Sequence, residues 1–507
     1  MNKCFFWPIS QDDILSFRDI ITNKLIKFIS VQNAHNDEYR IINVLINYII
    51  IDSMEIFRAL RLLEFDEITL KNWEVNINSR IFGALRNKNI PEEPLIISEL
   101  LNGPPKPKKI MFPLRYLRSK IYQKNIIRYP LRKINLEKDI ISLSNYELID
   151  QHAKLVKQRV IFLQPHNFLK KIGKNSFNFN TKIISEIIKI LEESLNCFSI
   201  DFDKNLEDYF KKWLRKCAAI VRGHYKTLHN ISQPKILWTG SGAQIWSRII
   251  RSYFIKKGTH IVGHDHGSGC SHVNDCYKSV RDFEFCNEFV SFTEGQTIEL
   301  NNNLNKHFLM MPGKNFKIKS VKKNFHNSRC KFKKLKKEIN LCYFGGLYNT
   351  ERIHLTPLLQ KFVFDDFSER LLLKLNQSFN LFWRPYPEME NKRLKDKMMK
   401  YKIYPSNLNL KQLLRKADCC VIDSIQGSII LDILKEEKPL LLVNFTSREL
   451  TVVGRKLLEK RASIINGYFS KDNRAEIDWT TINKKIEEAF LLDDNQFYNY
   501  YFSYLDI

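Results

Sequence analysis

Long hydrophobic runs are missing from this 507-residue chain. A membrane-spanning helix needs about 18 or more consecutive apolar residues, and no stretch reaches that length. The best candidate, "RIINVLINYIIIDSMEIF", is interrupted by Asn43, Asn47 and Asp52 and reads as a buried helix. The opening "MNKCFFWPISQDD" has no apolar stretch followed by small residues, so no secretory signal is expected. Cysteine is present, but its ten copies lack regular spacing, which favours reduced thiols over a disulfide framework. Internal repeats are absent. So are the signatures of RNA-recognition, KH and zinc-finger modules, and no nucleic acid is expected as a partner.

What the chain does have is length, apolar content and positive charge. Its length exceeds one ordinary core, and 44% apolar residues suit two or three globular domains. The 81 Lys and Arg against 55 Asp and Glu leave a formal charge of +26, which attracts anionic partners. Codon usage in an AT-rich genome raises Lys, Asn, Ile and Phe together, so charge alone names no chemistry. One segment concentrates it. "KPKKIMFPLRYLRSKIYQKNIIRYPLRK", Lys106 to Lys133, carries ten cations and no acid, interleaved with Phe112, Tyr116, Tyr122 and Tyr129. Rings at headgroup depth and cations on lipid phosphates would lay such a segment on an anionic membrane. Interleaved aromatics and cations also suit single-stranded nucleic acid, and a plain solvated helical face has the same composition.

Residues 1–130 read as a mainly helical N-terminal region, closed by the breaker "NGPPKPKKI". Residues 131–325 alternate element types. "KILWTG" is a short buried strand, "SGAQ" a turn, "IWSRIIRSYFIKKG" a helix stopped at Gly258, and "THIVGHDHG" a second strand. Strand, helix, strand at this spacing predicts a right-handed parallel crossover. Residues 313–338 read as a basic, strand-poor linker. Residues 338–507 open a second α/β series: strands at "INLCYFGG", "FNLFWRPYP", "DCCVIDS" and "KPLLLVNF", helices at "HLTPLLQKFVFDDF", "NLKQLLRKA" and "GSIILDILKEE". Two doubly wound, Rossmann-like units put a cleft at the carboxyl ends of their strands.

Five loops fall at such ends. In "VIDSIQGSIILD", Asp423 ends a strand and Gly427-Ser428 opens a helix, whose free N–H groups favour an anion; Asp432 follows one turn later. "FWRPYPE" offers Arg384 as a phosphate fork beside Tyr386. "YFGGLYNTER" offers Gly345 and Gly346 for close backbone approach, with Arg352 nearby. "TGSGAQ" supplies Gly240, Ser241 and Gly242. "GTHIVGHDHGSGCSHVNDC" supplies His264, Asp265, His266 and Gly267. His266, flanked by glycine after a strand, suits a general base near neutral pH, oriented by Asp265 or Glu284. His264, His266, Cys270, His272 and Cys276 are zinc-type donors, but their spacing matches no common zinc site, so no metal is expected. "SIDFDKN" holds Asp201 and Asp203, an Asp-x-Asp pair, yet it lies between amphipathic helices, away from any strand–turn pattern.

Over about residues 230 to 465, the strand ending in His-Gly, the "RPYP" turn and the Asp…Ser…Asp turn before "KPLLL" resemble bacterial surface-polysaccharide transferases of the GT-B fold. That group includes capsule Kdo-transferase-like, polysialyltransferase-like and teichoic-acid polyglycerolphosphate-transferase-like proteins. The resemblance implies two Rossmann-like domains facing across a cleft, with a nucleotide-sugar donor, a glycan or lipid-linked acceptor and no cofactor. It puts the family's catalytic His on His266, and the nucleotide-side Ser and acid on Ser428 and Asp432. Tyr386 stands where the family has His, and the usual Gln or Trp before the catalytic His is missing. The same likeness admits transfer of a polyol phosphate from a CDP-linked donor; a non-catalytic basic nucleic-acid binder is the alternative from another class. The expected location is cytoplasmic, on the inner face of the cytoplasmic membrane.

Overall fold

The computed structural model describes residues 6–31, 36–72, 80–104, 126–127, 139–156, 158–172, 179–240, 242, 244–265, 270–273, 282–302, 315–322, 329–330, 332, 338–345, 361–385, 392–425, 429–445 and 450–502. The fold is α/β, built on two mostly parallel sheets of the Rossmann-like kind.

The first sheet runs in the order β1-β3-β2-β4-β5-β6-β7, all neighbours parallel. Its strands are β1 (Ile126–Ile127), β2 (Ile140–Ser142), β3 (Val160–Phe162), β4 (Ile236–Thr239), β5 (His260–His264), β6 (Glu288–Thr293) and β7 (Lys317–Lys322). Successive side chains alternate faces, and here they sort into two cores. Ile141, Ile161, Leu237 and Ile261 join one large cluster; Ile140, Val160, Trp238 and Val262 join another. The first cluster lies against the helices Gln11–Val31, Asp37–Leu62, Thr181–Asn196 and Lys204–His229. The N-terminal helices therefore share a core with the first sheet. The second cluster is covered by the Glu147–Leu155 helix through Leu148, Ile149 and Ala153.

The expected strand–helix–strand unit is present as β4, the Ile245–Lys256 helix and β5, with Gly258 at φ +92° after the helix. β7 lies inside the stretch expected to be a strand-poor linker. Its isoleucine and valine are diluted by lysine ("KIKSVK"), because an edge strand buries only Ile318 and Val321. Part of the basic segment is β1, paired with β3; the rest of Lys106 to Lys133 lies outside the described residues.

The second sheet runs β13-β12-β11-β10-β8-β9. Its strands are β8 (Asn340–Phe344), β9 (Asn380–Arg384), β10 (Cys419–Ile422), β11 (Leu440–Phe445), β12 (Ser463–Phe469) and β13 (Ala475–Glu476); only the β12–β13 pair is antiparallel. β8, β10 and β11 are apolar on both faces, as central parallel strands must be.

From β2 onward in the first sheet, and throughout the second, the chain reverses its direction of strand addition once. The reversal lies between β2 and β4 in the first sheet and between β8 and β10 in the second. Loops diverge there and leave a crevice beyond the carboxyl ends.

Among the described residues, the contacts between the two halves include the following. Trp7 donates its backbone N–H to Asp472 O (3.1 Å) and stacks on Phe362. The Gln496–Tyr501 helix lies on the Glu294–Asn302 helix, where a Cβ on Gly295 would sit 2.5 Å from Tyr500 O. Val273 bridges Leu450. Among the described residues no helix is long and apolar enough to cross a membrane. "RIINVLINYIIIDSMEIF" lies in the buried Asp37–Leu62 helix.

Candidate functional site

The second sheet's reversal point gathers three expected donor-side residues. Asp423 directly follows β10, Gly345 directly follows β8, and Arg384 ends β9. Strand register brings them side by side, since Phe344 pairs with both Ile422 and Arg384. Gly345 donates its N–H to Arg384 O (3.2 Å). The Arg384 guanidinium is half-buried and donates through Nη1 to Leu408 O (3.2 Å), which fixes its stem against the crossover chain. Asp423 is buried and accepts a short hydrogen bond from Tyr343 Oη. Burial, and then the Asp423 charge, push the Tyr343 hydroxyl well above its usual range, so it stays a neutral donor. Asp432 is half-buried on the Ile429–Lys435 helix; burial raises its pKa and Lys435 opposes that. Gly346, Arg352, Tyr386, Gly427 and Ser428 lie outside the described residues.

At the first sheet's reversal point, Gly240 follows β4 and donates its N–H to Ser144 Oγ (2.9 Å). A Cβ there would lie 2.5 Å from Tyr146 Cε1, so the close approach needs glycine. Gly242 N–H donates to Asp282 Oδ1 (3.2 Å). Asp265 follows β5, is buried and donates its N–H to Val290 O. The Tyr146 hydroxyl donates to His264 O (2.8 Å); burial, then Asp265 and Asp282, keep it protonated. One phenol and two carboxylates thus share this end of the sheet.

His264, expected in the acceptor-side loop, turns into the core instead. It is the last residue of β5, and alternation puts it on the Trp238–Val262 face. Its Nδ1 lies 3.1 Å from Thr239 O, and its Nε2 2.9 Å from His152 Nδ1. A carbonyl can only accept, so His264 Nδ1 carries the proton, its Nε2 accepts, and His152 Nδ1 donates. His152 stacks on Trp238 at 4.3 Å. Burial pushes His264 down to about 3 and His152 to about 4, so both rings are neutral at pH 7. Glu284, expected to orient a catalytic histidine, is fully buried and accepts from Asn43 Nδ2 (3.0 Å). Asn43 also accepts from Arg248, so this network ties the Asp37–Leu62 helix to the first sheet's helices. His266, Ser241 and Gly267 lie outside the described residues.

The rest of the glycine-histidine stretch reaches the other half of the molecule. His272 accepts the Thr451 N–H on its backbone carbonyl (2.9 Å) and places Nε2 3.3 Å from Ile425 O. Its ring sits edge-on among Phe497, Tyr501 and Phe502. A Cβ on Gly454 would meet His272 O at 2.6 Å. The stretch leaves β5 in one half and packs beside the β10 exit loop in the other. Among the described residues no group of three or more His, Cys, Asp or Glu is arranged to hold a metal. Asp203 caps the Lys204–His229 helix, accepting from the Asn205 and Leu206 N–H groups.

Sequence reasoning missed Ser144, Tyr146, His152, Asp282 and Tyr343. Ser144 and Tyr146 follow the three-residue β2, too short for a period to show. Tyr343 was legible as a polar ring within "NLCYF", two residues before Gly345. Compared with known proteins, the chain matches no family model and no curated protein sequence.

Proposed function

We propose that the protein is a GT-B-type glycosyltransferase that moves a sugar from a nucleotide donor to a surface polysaccharide or lipid-linked glycan. The observation that carries this reading is the grouping of Gly345, Arg384 and Asp423 on three adjacent strand ends at the second sheet's reversal point. In this reading Arg384 and the start of the Ile429–Lys435 helix stabilise the leaving nucleotide phosphate, as fixed dipoles and cations do for developing charge. Asp423, held by Tyr343, orients the nucleoside. His266 takes the proton of the acceptor hydroxyl, with Asp265 beside it in sequence. The "GHDHGSGCSH" stretch supports the reading because its described ends pack in both halves of the molecule. The reaction is metal-independent, and the enzyme works at the cytoplasmic face of a membrane.

A panel of nucleoside mono- and diphosphates, screened by thermal unfolding, tests this. One base should stand out, because a ligand at about 100 times its Kd stabilises a fold by roughly 2.7 kcal/mol. A cytidine preference would move the reading to polyol-phosphate transfer. No response to any nucleotide would remove it.

A further inference from the structure

Between β9 and β10 the chain makes the helix Lys392–Lys400 and then turns sharply. Three buried side chains anchor this piece: Leu394, Met398 and Ile403. The turn is closed by Tyr401 N–H to Met398 O (2.9 Å) and Ile403 N–H to Met398 O (3.0 Å), with Lys402 at φ +59°. What remains outside is unusual for a solvated turn. Met399 is 43% exposed, Tyr401 51% and Tyr404 60%, within six residues of chain. Single exposed apolar residues need no explanation, but a group of them does. Lys400 and Lys402 are exposed between them and make no ion pair among the described residues, whereas Lys397 is held by Glu369. From Lys392 to Lys416 the sequence carries nine Lys or Arg and one acid, Asp396.

We propose that this turn docks on an anionic lipid surface, with Met399, Tyr401 and Tyr404 entering the headgroup layer and Lys400 and Lys402 on lipid phosphates. The charge complementarity is local, and the lysine stems let the ammonium groups reach the phosphates while the rings go deeper. Single-stranded nucleic acid favours a cationic groove that tracks its backbone; here a thioether and two phenols are exposed in a turn beside two lysines. The docking uses no nucleotide, so it stands apart from the transfer reaction. It is also distinct from the Lys106 to Lys133 segment.

The test uses the full chain with vesicles of phosphatidylcholine alone and of phosphatidylcholine mixed with phosphatidylglycerol. Wild type should sediment with the mixed vesicles, and hydrogen exchange should slow over residues 392–404 only when they are present. Lys400→Gln with Lys402→Asn should weaken binding about thirtyfold, at about 1 kcal/mol per cation near the surface. Met399→Ser with Tyr401→Ser and Tyr404→Ser should abolish the exchange protection, with the melting temperature unchanged. Wild-type affinity in both variants, equal binding to neutral vesicles, or protection of 392–404 by single-stranded RNA and not by vesicles would each overturn the proposal. Nucleotide-induced stabilisation, measured on the same variants, should be unaffected.

Discussion

His264 carries two hydrogen bonds and no access to solvent, which makes it a structural residue with a pH signature. Its folded pKa of about 3, and about 4 for His152, lie below the ordinary histidine value. The unfolded chain therefore binds more protons in that window. The pair's stabilisation is complete above about pH 6.5 and is lost as pH falls through 4. Asp52 and Asp150, raised to about 6 by burial, act with the opposite sign, so the histidine effect must be isolated. Against a His152→Phe, His264→Met variant, the wild-type urea midpoint should fall steeply between pH 6.5 and 4. A parallel pH dependence in the two proteins would contradict the tautomer chain. Gly240 gives a second test at this scale. Gly240→Ala forces its Cβ against Tyr146 and should cost about 1–3 kcal/mol of unfolding free energy, read from urea melts. If it melts like wild type, the close approach is not tight.

The elements show which sequence signals carry over into structure. β4, β5, β8, β10 and β11 were legible because each is a short apolar run bounded by a turn or a charged residue. β3 was legible too, as the β-like run in "QRVIFLQP"; β1 and β2 have two or three residues apiece, β7 alternates with lysine, and β12 is broken by Asn466 and Gly467. The Lys392–Lys400 helix buries only Leu394 and Met398 among the side chains described on it, so its apolar stripe is too thin to recognise. At the site, Gly345, Arg384 and Asp423 were legible because strand ends are. The His152–His264 pairing was not, since it depends on which face β5 turns toward the Glu147–Leu155 helix. Asp203 belongs to this scale too. As the cap of the Lys204–His229 helix, Asp203→Ala should lower stability by about 1 kcal/mol and leave nucleotide response unchanged. Loss of nucleotide response in that variant would revive the Asp-x-Asp reading.

At the scale of the molecule, each end of the chain packs onto the opposite half: Trp7 onto the second half, and the Gln496–Tyr501 helix onto the first. With His272 docked among Phe497, Tyr501 and Phe502, these contacts set how the two reversal points stand to one another. The proposed function requires an anionic nucleotide to bind where β8, β9 and β10 end. Its most direct test is calorimetric titration of the best nucleoside diphosphate into wild type and into Arg384→Ala with Ser428→Ala. At least tenfold weaker binding is expected of a variant that melts like wild type, about 1.4 kcal/mol or more for the lost charge-assisted hydrogen bonds. Unchanged affinity in the folded variant would contradict it.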